Sequence, residues 1–260
     1  MLTPILMYHE VTESGALPKD VVASWTVTSG QFRAHMAALA DAGYTGMSVP
    51  RWLDVRASLS GGLKPVVITF DDGFRGNPEI AIPALQELGW TGTFFVISGK
   101  MDCDAYGSAA DWRQAAKAGM DIASHTATHP FAGTLSLSDL RRELLDSRSA
   151  LEDAIGGPVT GLSWPNGDAP RGGRGLLLEC GYSWAATSRA AFAGSATDPF
   201  SLPRLAVRSW HDPDALSKLL DTSLAHRLRM LGVYRTKALA RALLGRRRYS
   251  GLQMKVTGDA

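Results

Sequence analysis

Short apolar runs recur along the chain at fairly even intervals. They are PILMYH (4–9), TGMSV (45–49), VVITF (66–70), GTFFVI (92–97), DIAS (121–124), TGLSW (160–164), SWAAT (183–187) and PRLAV (203–207). They are apolar on both faces, which is the pattern of strands covered on both sides. Helical patterns separate most of them. SGQFRAHMAALADAGY opens with Ser29 as a cap and closes near Gly43. NPEIAIPALQELGW has an apolar stripe at Ile80, Leu85 and Leu88 and stops at Gly89; Pro83 inside it marks a helix start or a kink. SLSDLRRELLDSRSALEDAIGG keeps Leu140, Leu144, Leu151 and Ile155 at helical spacing until Gly156 and Gly157, although Ser138 with Arg141 makes a poor capping box. GRGLLLECGY is a shorter helix. Strand and helix alternate about seven times without a break in composition. That predicts a parallel α/β structure closed or nearly closed into a barrel, with an open doubly wound sheet as the alternative. The barrel takes residues 1–217, and residues 218–260 form a basic helical tail.

Composition changes this picture little. The 260 residues are 45% hydrophobic and 20% charged, which is ordinary for a globular chain. Cys103 and Cys180 do not make a disulfide framework, so a reducing compartment is expected. MLTPILMYHEV has no basic leader region, and no run approaches the roughly 18 apolar residues of a membrane span. The expectation is a cytoplasmic protein. Charge adds one feature. Residues 226–248 hold eight Lys or Arg and no acid, leaving 19 basic against 25 acidic residues elsewhere. With Leu228, Leu231, Leu239, Leu243 and Leu244 on one side, this stretch reads as a helix packed on the body. The other reading is peripheral contact with an anionic membrane or an acidic glycan.

The candidate chemistry sits after strands. Asp71 and Asp72 follow VVITF, His125 and His129 in SHTATHP follow DIA, and WPNG (164–167) follows TGLS. In a parallel barrel the ends after the strands share one rim, and that rim carries the chemistry. Asp-Asp-Gly alone is a turn signal, and so is WPNG. A His-x-x-x-His spacing lets two imidazoles face one point, as zinc ligand pairs do. Two histidines and one Asp supply two nitrogens and an oxygen and leave a position open for water. The second Asp is then placed to act as a general base.

TFDDG, SHTATH and WPNG, in that order and at these separations, resemble the first three motifs of the polysaccharide deacetylase family, the carbohydrate esterase family 4 or NodB-homology domain. ILMYHEVT resembles the opening strand of a subgroup that includes poly-β-1,6-N-acetylglucosamine deacetylases. The resemblance spans roughly residues 4–216. It implies a distorted (β/α)7 barrel and metal-dependent N-deacetylation of amino sugars. It assigns Asp71 as base and Asp72, His125 and His129 as metal ligands. It also makes the backbone N–H of Asn166, after Pro165, an oxyanion donor. The cofactor implied is a divalent metal, zinc first, with cobalt or nickel as alternatives. The partner implied is an N-acetylated glycan or glycoconjugate, not a nucleic acid.

Three positions depart from the family pattern. Many members carry Arg two places before the motif-three proline, where this chain has Ser163. Arg204, in SLPRLAV, resembles the arginine of members that lack the earlier one; it orients Asp71 or lies on the surface. The late Leu-x-x-His motif is not clean: AVRSWHDPD holds His211, which is a general acid or the opening of the helix DPDALSKLL. His9 ends the first strand and either binds substrate, donates a proton or is a buried hydrogen-bonded histidine. Trp164, Pro165 and Trp210 are candidate sugar contacts, although such aromatics are more often packing. Two further readings stand beside polysaccharide deacetylation: an intracellular deacetylase of a lipid-linked or small sugar amide, and a non-catalytic glycan-binding protein on a degenerate barrel.

Overall fold

The computed structural model describes residues 1–13, 17, 21–59, 62–230 and 232. All eight predicted strands form. They are β1 (Ile5–Tyr8), β4 (Tyr44–Met47), β5 (Lys64–Phe70), β6 (Thr93–Val96), β7 (Asp121–Ser124), β8 (Gly161–Ser163), β9 (Trp184–Ala186) and β10 (Leu205–Ala206). Two short strands were not predicted, β2 (Glu10–Thr12) and β3 (Thr26–Thr28), which pair with each other. The helices are α1 (Ser29–Asp41), α2 (Val49–Val55), α3 (Ile82–Glu87), α4 (Ala109–Lys117), α5 (Leu137–Ile155), α6 (Gly173–Glu179) and α7 (Pro213–Leu219). Of these, α2 and α4 were not predicted. Two caps lie earlier than the sequence suggested. Thr28, not Ser29, accepts the Gln31 N–H at the start of α1, and Ser136, not Ser138, accepts the Asp139 N–H at the start of α5. Pro83 stands in the first turn of α3, preceded by a π-helical turn at Asn77–Ala81.

Seven strands follow one another in the order β10-β1-β5-β6-β7-β8-β9, all parallel. The eighth, β4, pairs with the first half of β5, on the edge where β6 takes the second half. The sheet curls until its ends nearly meet. Leu202 bridges Ala186 beside β9, and three residues later Leu205 pairs with Leu6 of β1. This segment changes partner, so the fold is a distorted (β/α)7 barrel and not an open sheet.

Two apolar clusters separate by strand parity. Leu6, Tyr8, Ile68, Phe70, Phe94, Ile122, Leu162 and Ala185 pack outward with the helices. Ile5, Val67, Phe95, Ala123, Trp184 and Ala186 fill the inside. Room for Trp184 comes from Gly161, where a Cβ would fall 1.9 Å from the indole. Because strand side chains alternate, continuing the inner set to the strand ends brings His9, Asp71, His125 and Ser163 onto the inner rim. The 217/218 boundary falls inside α7, which packs on α1. Of the basic stretch 226–248, all but residues 226–230 and 232 lie outside the described residues. Among the described residues, no helix is long and apolar enough to cross a membrane.

Candidate active site

Asp71 continues the inner face of β5 and is buried. Its carboxylate is held by Arg204, with Nη1 2.6 Å from Oδ1 and Nη2 2.8 Å from Oδ2. This fork-on-carboxylate pairing is the strong, orienting form of an ion pair. Arg204 is 1% exposed, so it is no surface arginine. Its Nε donates to the Thr187 carbonyl and its Nη2 to the Ser163 hydroxyl, 2.8 Å away, while Phe95 lies under the guanidinium. Ser163, the departure noted in the third motif, therefore leaves space that an arginine arriving from the β10 side fills. Burial would raise the Asp71 pKa. Arg204 and His125 outweigh it and hold the carboxyl below its usual range.

Asp72 has a left-handed backbone, φ 74°, so it leaves the strand alternation that would turn it outward and joins His125 on the rim. Its Oδ1 lies 3.4 Å from His125 Nε2 and 3.5 Å from His129 Nε2. The three ligand-type atoms fall within 4.8 Å of one another. His125 Nδ1 donates to the Ser163 carbonyl at 2.8 Å, which fixes the ring and aims Nε2 at the cluster. Burial pushes the His129 pKa down to about 4, so that ring is neutral, as a ligand must be. Burial opposes charge on His125 as well, but Asp71 and Asp72 outweigh it and raise its pKa. Two neutral-capable imidazoles and one carboxylate, converging and partly open, fit a divalent cation of the zinc type.

The strained backbone marks the same place. Among the described residues, five non-glycine positions have positive φ, and four belong to the site loops: Asp72, Thr126, His129 and Asn166. Asn166 is exposed at φ 57°, after a buried Pro165.

Other predicted residues fall elsewhere. Trp164 is 2% exposed and packs in the outer core, so neither face of its ring is open to a sugar. Pro165 is buried likewise and is a packing residue of the rim turn. His211 sits in the turn before α7. Its carbonyl accepts from His35 Nε2 and from the Gln31 side chain, and its Nδ1 accepts the Arg208 N–H. None of its hydrogen bonds among the described residues reaches Asp71, Asp72, His125 or His129, and the helix is opened by the next residue, Asp212, whose carboxylate accepts the Ala215 N–H. His9 stays on the rim, its ring tilted against Trp25 with centroids 4.1 Å apart, and its Nδ1 is buried and without a partner among the described residues. Trp210 is 61% exposed, beside Arg208. Sequence reasoning missed Trp25, which flanks His9, and Glu143, which holds the histidine loop from α5.

The architecture, a parallel barrel with its polar cluster on the strand-end rim, is the class in which loops after strands carry out chemistry. Residues 60–185 match the family model described as polysaccharide deacetylase. YxkH of Bacillus subtilis (strain 168) is 27% identical over 208 residues, 78% of this chain and 71% of that protein. The Streptococcus pyogenes deacetylase PplD, in complex with acetate, has the same fold with TM-score 0.75 at 21% identity, covering 85% of this chain and 99% of that one. A de-N-acetylase from Aggregatibacter actinomycetemcomitans gives TM-score 0.74 at 18% identity, over 85% and 100%. Over residues 60–185, just under half of its length, the chain is similar to the polysaccharide deacetylase family.

Proposed function

We propose that the protein is a metal-dependent N-deacetylase that hydrolyses the acetamide of an N-acetylated amino sugar in a glycan, releasing acetate and a free amine. The observation that carries the reading is the side-by-side use of Asp71 and Asp72, one fixed by Arg204 and the other converging with His125 and His129. Asp72, His125 and His129 hold the cation, with zinc favoured by the donor set and cobalt or nickel as alternatives. When bound, such a cation lowers the pKa of a water and polarises the amide carbonyl. Asp71, ionised and oriented, takes the proton from the attacking water. The Asn166 N–H is a preorganised donor for the oxygen that gains charge. His9, on the inner rim with Nδ1 buried and unpartnered among the described residues, is a better candidate than His211 for the group that protonates the leaving amine. Burial lowers its pKa and works against its charged form.

The test is acetate release from β-1,6-linked N-acetylglucosamine oligomers and chito-oligosaccharides, after chelation and after adding back Zn²⁺ or Co²⁺. Release should need the metal and fall at least about 100-fold in Asp72→Ala, the scale on which lost charge stabilisation acts. Release that ignores chelation, or an Asp72→Ala variant with full activity, rejects the reading. Glycan binding without turnover by the metal-loaded protein favours the non-catalytic alternative.

A further inference from the structure

The loop carrying both imidazoles has two non-glycine residues in the left-handed region, Thr126 at φ 66° and His129 at φ 62°. Such strain persists only where the surroundings over-determine the backbone. Helix α5 supplies most of that constraint. Glu143 accepts three hydrogen bonds from the loop: the Ala127 N–H at 2.9 Å, the Thr128 N–H at 2.8 Å and the Thr128 hydroxyl at 2.7 Å. One turn along α5, Ser147 bonds Ser124 at 2.8 Å, and Ser124 Oγ accepts the Thr126 N–H. Thr126 Oγ1 in turn accepts the His129 N–H at 3.1 Å. Ser98 and Gly99 also donate backbone N–H groups to the Thr126 and Ala127 carbonyls. Both loop amides that Glu143 holds lie between the two imidazoles.

We propose that Glu143 is a positioning residue: by clamping residues 127–128 to α5 it sets the separation and aim of His125 and His129, and so the affinity of the site for a divalent cation. This rests on the metal-binding reading above. Glu143 touches neither cation nor substrate. It acts as outer partners of metal ligands do, whose loss typically weakens binding about 10- to 100-fold. A Gln at 143 keeps the geometry, because its carbonyl oxygen accepts both amides and its NH₂ finds the Thr128 hydroxyl as an acceptor. An Asp is one methylene too short to reach.

The experiment titrates the metal-stripped full chain with Zn²⁺ against a chromophoric chelator and follows amide exchange at Ala127 and Thr128. Glu143→Ala and Glu143→Asp should weaken Zn²⁺ binding about 10- to 100-fold and speed exchange at both amides. Glu143→Gln should stay within about threefold of the wild type, the scatter expected of a conserved hydrogen-bond geometry. If Glu143→Ala does not fold, the Asp and Gln variants carry the same contrast. Wild-type affinity in Glu143→Ala or Glu143→Asp, or Gln failing as badly as Asp, overturns the proposal. A wild-type protein that binds Zn²⁺ without releasing acetate rejects the hydrolase reading alone and leaves the clamp standing. One that binds no Zn²⁺ rejects both.

Discussion

Asp71 and Asp72 are neighbours in the chain, yet their surroundings push them into separate tasks. Asp71 follows the strand alternation into the barrel and meets a guanidinium; Asp72, at positive φ, joins the imidazoles on the rim. Because Arg204 helps hold the Asp71 pKa down, the carboxylate's stabilising effect is present above its unfolded value and is lost as pH falls through the lower folded one. Removing the partner reverses the sign: burial then dominates and the pKa rises. Arg204→Ala should move the acid limb of the kcat/KM profile to higher pH. It should also cost about 3–5 kcal/mol in urea unfolding, since a buried charge loses its partner. Arg204→Lys, charged but without the fork, should shift the limb less. An unmoved acid limb in both variants would exclude Asp71 as the group that must be ionised. At this scale the spacing of His125 and His129 was enough to expect two imidazoles facing one point, and they do converge, with Asp72 beside them. The sequence misled for Trp164 and His211. Closeness to a rim in sequence does not say which way a side chain points, and one turns into the core while the other bonds back to the Arg208 N–H of its own turn.

The elements show why those directions were hidden. Strands apolar on both faces signal a buried parallel sheet, but nothing in VVITF says that the parity containing Val67 faces inward and that of Ile68 outward. The short pair β2 and β3 was missed because three-residue strands carry too little pattern. Yet β2 brings a buried acid to the back of the site. Glu10 Oε1 accepts the Gly76 N–H at 3.1 Å, and Asn77 donates in return to the His9 carbonyl at 2.7 Å, tying β2 to the π-helical turn. The fit is close: a Cβ on Gly76 would fall 1.7 Å from the Val11 carbonyl. Burial pushes the Glu10 pKa up to about 8, against the Gly76 hydrogen bond and with help from the charges of Glu79 and Asp72. An acid raised in the folded state contributes stability below its unfolded pKa and loses it as pH climbs through the folded one. The protein should therefore lose stability between about pH 5 and 8 through this group, by up to about 1.4 kcal/mol per pH unit. Glu10→Gln, which mimics the protonated form, should flatten that slope in melts run at pH 5, 7 and 9. Parallel curves for the two proteins would show that Glu10 does not titrate in this window.

The barrel as a whole was legible from the alternation of strand and helix, but its closure was not. Leu202 and Leu205 belong to one apolar run, and only the curled sheet reveals that the run leaves β9 for β1 partway along. That closing segment also delivers Arg204 to Asp71, so the geometry of the base depends on the last turn of the barrel being shut. The cation ligands have the same global character. Asp72 leaves β5, His125 and His129 leave β7, and β6 stands between them. The unfolded chain has no such site, so binding free energy becomes folding free energy. At Zn²⁺ about 100 times its dissociation constant the folded state gains about 2.7 kcal/mol. For a chain of this size each kcal/mol is worth about 2–4 °C, so the melting temperature should rise by about 5–10 °C over the chelated protein. Asp72→Ala should lose most of that rise. Mg²⁺ should give little of it, because it prefers an all-oxygen shell to imidazoles. A melting temperature identical with chelator and with Zn²⁺ would mean that the three side chains converge without gripping an ion, and the metal-dependent reading would fall with it.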